Sequence, residues 1–115
     1  VNEEKGQALA SELGGKAVFA KSDVTDEANV QQTVQKAITA FGGLHGVINC
    51  AGIGAAMRLT SKMGPHPLDL FKLVLDVNVT GTFNVMRYGA MAMQENTPDE
   101  NGERGVIINT ASVAA

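Results

Sequence analysis

The sequence predicts an α/β fold built on a doubly wound parallel sheet. Two observations lead there. Segments of helical periodicity alternate with short apolar runs in the order helix, strand, helix, strand, helix, strand, the pattern of a sheet with helices on its faces. The three runs each end in polar or glycine-containing residues: Asp23-Val24, Asn49-Cys50-Ala51-Gly52 and Ser112. In a parallel sheet those ends share one edge, where open α/β sheets bind ligands.

Residues 3–13 read as a helix ended by Gly14-Gly15, a C-cap signal. Lys16 to Ser22 reads as a short strand centred on Ala17, Val18, Phe19 and Ala20. Thr25-Asp26-Glu27 supplies a cap and first-turn acids for a second helix. Val30, Val34, Ala37, Ile38 and Phe41 carry its helical spacing, and Gly42-Gly43 stops it. Leu44 to Asn49 is the next strand, followed by the turn at 50–52 and a loop reaching Pro67.

The segment from Leu68 to Met93 reads as one long helix. Asp69, Lys72, Asp76, Thr80, Asn84 and Arg87 form a polar stripe along it. Asn78 lies about 180° from Asp69, which puts it on the buried face. Val79, Thr80 and Gly81 are poorer helix formers than alanine, so a kink or bulge is expected there. The helix is otherwise densely apolar, which points to packing on the sheet and on a second subunit. Glu95 to Arg104 is a polar loop, and Gly105 to Ser112 is the last strand.

Composition sets bounds on function. A chain of 115 residues, 44% hydrophobic and 18% charged, fits one soluble domain. A net charge of -3 gives no reason to expect nucleic acid or an anionic membrane as partner. No apolar stretch is long enough to span a bilayer. A single cysteine, Cys50, allows no internal disulfide and fits a reducing compartment. His45 and His66 have no partner at metal-ligand spacing, so no metal site is expected. The first residues lack the apolar core of a signal peptide. They also lack an initiator methionine, so a piece of a longer chain is expected.

Taken in register, Asp23-Val24, the turn Asn49-Cys50-Ala51-Gly52, Asn78 within Asp76-Val77-Asn78-Val79-Thr80-Gly81-Thr82, and Ser112 resemble the short-chain dehydrogenase/reductase family. Gly105 to Ala115 and the loop before it resemble one subgroup, the 3-hydroxyacyl-CoA dehydrogenases. The resemblance implies an incomplete Rossmann-type sheet, with strands 3, 4 and 5 and their helices, as a partial NAD(P)-binding domain over 1–115. It implies oxidation of a secondary alcohol, such as a 3-hydroxyacyl thioester, to a ketone. It implies NAD as cofactor, with NADP left open, and a homo-oligomer paired through the helix at 68–93. A cytoplasmic setting is expected, or a mitochondrial one in a eukaryote.

The resemblance also assigns roles. Asp23, with Val24 beside it, would accept a hydrogen bond from the adenine amino group; a turn or capping aspartate is the alternative. Asn49, Cys50, Ala51 and Gly52 would pass close to the adenosine ribose; a tight strand-to-loop turn is the alternative. Cys50 reads as a small buried residue rather than a nucleophile. Asn78 would hold a water of a proton relay through its backbone, or else be a satisfied amide tying two helix turns. Ser112 would hydrogen-bond the substrate oxygen, or else cap the next element. Tyr88 is followed by Gly89-Ala90-Met91-Ala92, so it cannot supply the family's Tyr-x-x-x-Lys pair.

That pair is expected beyond Ala115, and the glycine-rich pyrophosphate loop before Val1. The residue selecting NAD over NADP is expected just upstream as well. In strand order 3-2-1-4-5, strands 2 and 1 would separate Lys16–Ser22 from the other two. Lys16–Ser22 is therefore expected to find no neighbour, and the 115 residues alone to be inactive. A non-catalytic module of the same fold, binding a nucleotide or a partner, is the reading from a different class.

Overall fold

A computed structural model describes residues 2–113. Helix α1 (Glu3–Leu13) starts where the Asn2 side chain accepts from the Lys5 N–H at 2.9 Å. It ends at Gly14, and Gly14–Lys16 forms a 3-10 turn. Residues 17–22 then join no ladder, so the strand expected over Lys16–Ser22 is not formed as such. Its position is kept by side chains instead. Lys36 Nζ donates to the Phe19 carbonyl at 2.8 Å, and the Phe19 ring fills the space a side chain at Gly6 would need.

Helix α2 (Glu27–Phe41) is capped by Asp26, which accepts from the Asn29 N–H at 3.0 Å. It stops at Gly42, whose φ of 81° is the left-handed conformation that glycine adopts without strain. Strand β1 (Gly46–Asn49) pairs in parallel with β4 (Val106–Asn109), with Val47 beside Ile107 and Asn49 beside Asn109. Asn49 Nδ2 donates to Asn109 Oδ1 at 2.8 Å across that last pair.

The loop expected up to Pro67 contains a small antiparallel ribbon, β2 (Thr60–Ser61) against β3 (Gly64–Pro65). Its turn is closed by Ser61 Oγ, which accepts from the Met63 N–H and donates to the Gly64 carbonyl. The expected long helix is three pieces: α3 (Leu68–Leu75), a π-helical segment (Asp76–Gly81) and α4 (Thr82–Met93). The π segment falls at the weak helix formers noted above. Asn84 is a correction. It is 5% exposed, not part of a solvent stripe. A turn closed by i→i+5 bonds takes in one more residue than an α-turn. Residues after it therefore fall about 100° short of the count for a straight α-helix.

Helix α4 lies on β1 and β4 and against α2. Val30, Val47 and Met93 are the buried apolar side chains among the described residues. On β1, Val47 and Asn49 face this core, while Ile48 on the opposite face is 66% exposed. Contact between helix and strand depends on Gly89, where a Cβ would lie 2.6 Å from Val47 Cγ2. In an open helix, Gly89→Ala would gain about 1 kcal/mol of helix propensity. Here overpacking costs about 1–3 kcal/mol and wins. Urea unfolding should show Gly89→Ala destabilised, with Val47→Ala in the same chain recovering part of the loss. A stabilised Gly89→Ala protein would show that the two elements do not approach this closely.

Candidate cofactor site

A groove of about 770 Å³ opens where α2 starts and β1 ends. One wall is Lys21, Ser22, Asp23, Val24, Asp26 and Asn29. The other is Cys50, Ala51, Gly52, Ile53 and Val77. Five residues singled out in the sequence thus meet here: Asp23, Val24, Cys50, Ala51 and Gly52. Asn49, Asn78 and Ser112 do not line it. Asn49 is buried behind it and spends its amide on Asn109. Ser112 is exposed, three residues past the end of β4.

Asp23 is built into a turn. Its N–H donates to Asn29 Oδ1 at 2.6 Å. Its Oδ1 accepts from the Thr25 hydroxyl at 2.7 Å and the Thr25 N–H at 3.0 Å. Those donors, the hydroxyl first, hold its carboxyl below the ordinary aspartate range, so it is a carboxylate at neutral pH. Both bonds fall on Oδ1 and leave the second carboxylate oxygen out of the turn. The turn role and an acceptor role are therefore compatible in this geometry.

Val24 is fixed from α4. Its carbonyl accepts from Asn84 Nδ2 at 2.9 Å, and its side chain occupies the space a Cβ on Gly81 would need. Asn84 Oδ1 in turn accepts from Arg87, whose guanidinium pairs with Glu27 at 2.7 Å. Tyr88 donates its hydroxyl to the same Glu27 oxygen at 2.7 Å. Tyr88 and then Arg87 draw the Glu27 carboxyl below its usual range, while Glu27 pushes the Tyr88 hydroxyl up. Tyr88 is thus held protonated, the opposite of a tyrosine tuned to act as a base near neutral pH.

On the opposite wall, Asn78 braces the loop after β1. Ile53 N–H donates to its Oδ1 at 2.9 Å, and its Nδ2 donates to the Ile53 carbonyl at 2.8 Å. The Asn78 side chain is therefore half-buried and spent on this loop, not on a neighbouring helix turn. Gly52 lies close by, where a Cβ would come to 3.3 Å from Asn78 Oδ1. Cys50 is exposed at the groove rather than buried as expected, because it follows the last residue of β1, and its Sγ lies 3.5 Å from Thr110 Oγ1.

The residues fit the adenosine half of a dinucleotide. A carboxylate oxygen can take an exocyclic amine, and Val24, Ala51, Gly52 and Ile53 offer small apolar walls for a flat ring. Sequence reasoning missed Asn29, Ile53, Val77, Asn84 and Arg87. Asn29 lies three residues after its cap Asp26, and Asn84 three before Arg87; both spacings were signals. The pairing of Asn84 with Val24, sixty residues away, carried none.

The family profile described as short chain dehydrogenase matches residues 1–115. Human 3-hydroxyacyl-CoA dehydrogenase type-2 is 50% identical over 112 residues, which are 96% of this chain and 43% of that protein. A 2,5-dichloro-2,5-cyclohexadiene-1,4-diol dehydrogenase of Sphingobium indicum is 40% identical over 114 residues, 99% of this chain and 42% of that one. The crystal structure of 3-hydroxyacyl-CoA dehydrogenase type-2 from Mycobacterium avium superposes with a TM-score of 0.90 at 38% identity, covering 97% of this chain and 44% of that one. The chain spans less than half the length of these relatives.

Two tests follow from the side-chain geometry. Asn78→Ala removes both bonds to Ile53, so amide exchange at Ile53 should speed up about tenfold, as expected for one lost hydrogen bond of ordinary strength; unchanged exchange would show that the brace carries no load. Glu27 has a depressed carboxyl, so its stabilising effect is present above the ordinary glutamate range and is lost as pH falls through the lower, folded value. In an NMR titration, Tyr88→Phe should move the Glu27 midpoint up toward the ordinary range. A midpoint that stays put would assign the depression to Arg87 alone.

Proposed function

Because the chain belongs to the short-chain dehydrogenase family, we propose that it forms the adenosine-binding side of an oxidoreductase that turns a secondary alcohol into a ketone. NAD is the proposed cofactor. The proposed substrate is a 3-hydroxyacyl thioester, the class named by relatives that share 44–50% of residues with this chain. The observation that carries the reading is the groove itself. It sets the Asp23 carboxylate and Val24 opposite Ala51 and Gly52, an acceptor and apolar walls facing one space.

When bound, the nicotinamide ring accepts the hydride. The residues of this chain bind and orient. Asp23 accepts from the adenine amine through the oxygen its turn leaves over. Cys50, Ala51 and Gly52 let the backbone approach the ribose, and Asn49 holds that turn from behind through Asn109. Ser112 donates to or accepts from the substrate oxygen and orients it. The Asn78 amide is occupied by Ile53, so its part in a proton relay runs through the backbone of the π segment. The Asn78 carbonyl already takes the Thr82 hydroxyl at 2.7 Å.

Homo-oligomerisation is proposed through the outer face of α3, the π segment and α4. Phe71, Leu75, Val79 and Phe83 recur every four residues and are 43–64% exposed. An apolar stripe of this kind is the signature of a helix-packing interface.

Fluorescence titration of the whole protein with NADH tests the cofactor reading. Asp23→Asn keeps an acceptor for Thr25 but turns an amide toward the adenine amine. It should weaken NADH binding about tenfold, the loss of one charge-assisted hydrogen bond. Unchanged affinity would remove Asp23 from the site, and absence of NADH binding by the unaltered protein would overturn the reading. Phe83→Glu should shift the protein to a smaller species in sedimentation; an unchanged species would place the interface elsewhere.

A further inference from the structure

Asn84 is buried, and both polar atoms of its side chain are committed. A primary amide can sit either way round in the same space, and its partners decide which. Arg87 only donates, through Nε at 3.1 Å and Nη2 at 3.0 Å, so Oδ1 must face it. Nδ2 is thereby aimed at the Val24 carbonyl. Arg87 is itself held by Glu27 at the start of α2. Val24 lines the groove next to Asp23, and Gly81 gives its side chain room. The place of Val24 in the wall is therefore set from α4.

We propose that Asn84 is a positioning residue that determines how tightly the groove holds a purine base, acting through Val24, and that Arg87 sets the sense of its amide. This rests on the cofactor reading of the groove. Asn84→Asp keeps the shape and the contact with Arg87 but places an oxygen against the Val24 carbonyl oxygen. In the whole protein, the Kd for AMP should rise about tenfold, the scale of a buried hydrogen bond exchanged for a repulsion. The KM for NAD should rise with it, while kcat changes far less.

Arg87→Met leaves the Asn84 amide in place but removes what orients it. It should weaken AMP binding in the same direction by about threefold, and it decides the matter if Asn84→Asp does not fold. Folded variants that bind AMP as tightly as the unaltered protein would overturn the proposal. So would a lowered melting temperature with AMP affinity intact, the mark of a purely structural role. Failure of the unaltered protein to bind either AMP or NADH would overturn the cofactor reading as well. Tight binding by the unaltered protein with no effect of the substitutions would overturn this inference alone.

Discussion

The interior of this structure turns on one part-buried hydrogen bond, from Asn84 to the Val24 carbonyl. The segment before α2 has no strand neighbour to satisfy its backbone, and a carbonyl partly withdrawn from water gains from a donor. Asn84 meets that need from another element. Its own amide is fixed by Arg87, and Arg87 by Glu27. A polar chain thus joins α4 to the start of α2 and to the groove wall at Val24. Every member has a partner, from the buried amide of Asn84 out to the exposed pair of Arg87 and Glu27.

The π segment sets the phase on which that network depends. Helix α4 begins rotated relative to α3, because the intervening turn holds an extra residue. The rotation delivers Asn84, Gly89 and Met93 to the interior, while Phe71, Leu75, Val79 and Phe83 stay outside. The same distortion turns the Asn78 side chain toward the loop after β1. Both walls of the groove therefore take their positions from one irregular stretch of six residues.

Much of this was legible in the sequence. Asp26, Glu27 and Gly42 mark the ends of α2, and the apolar runs at Leu44 and Gly105 mark the two strands that do pair. The glycine and small-residue turn after β1 reads directly as a place for close approach. What was hidden is whatever depends on phase or on distant partners. A helical count of 100° per residue fails across a π turn, so Asn84 read as a solvent-facing residue. The apolar run at 17–20 has strand character, but a strand needs a partner, and local sequence does not say whether one is at hand. Asn49 sits in a motif that reads as ligand-facing, while its side chain is claimed by Asn109, an equivalence that only the register reveals.

The bonds that close the structure share one more property. Val24 meets Asn84 across 60 positions, Asn49 meets Asn109 across 60, Cys50 meets Thr110 across 60, and Glu27 meets Tyr88 across 61. Each alone would bear the entropy of closing a long loop, which grows only slowly with its length. Because the spans overlap, the first to form brings the other partners near, and most of that entropy is lost once for all four. Topology of this kind slows the search, since distant segments must meet before any contact rewards them. It also makes the groove and the strand pair arrive together, so a chain that has joined β1 to β4 has already brought the two walls of its candidate site within reach of each other.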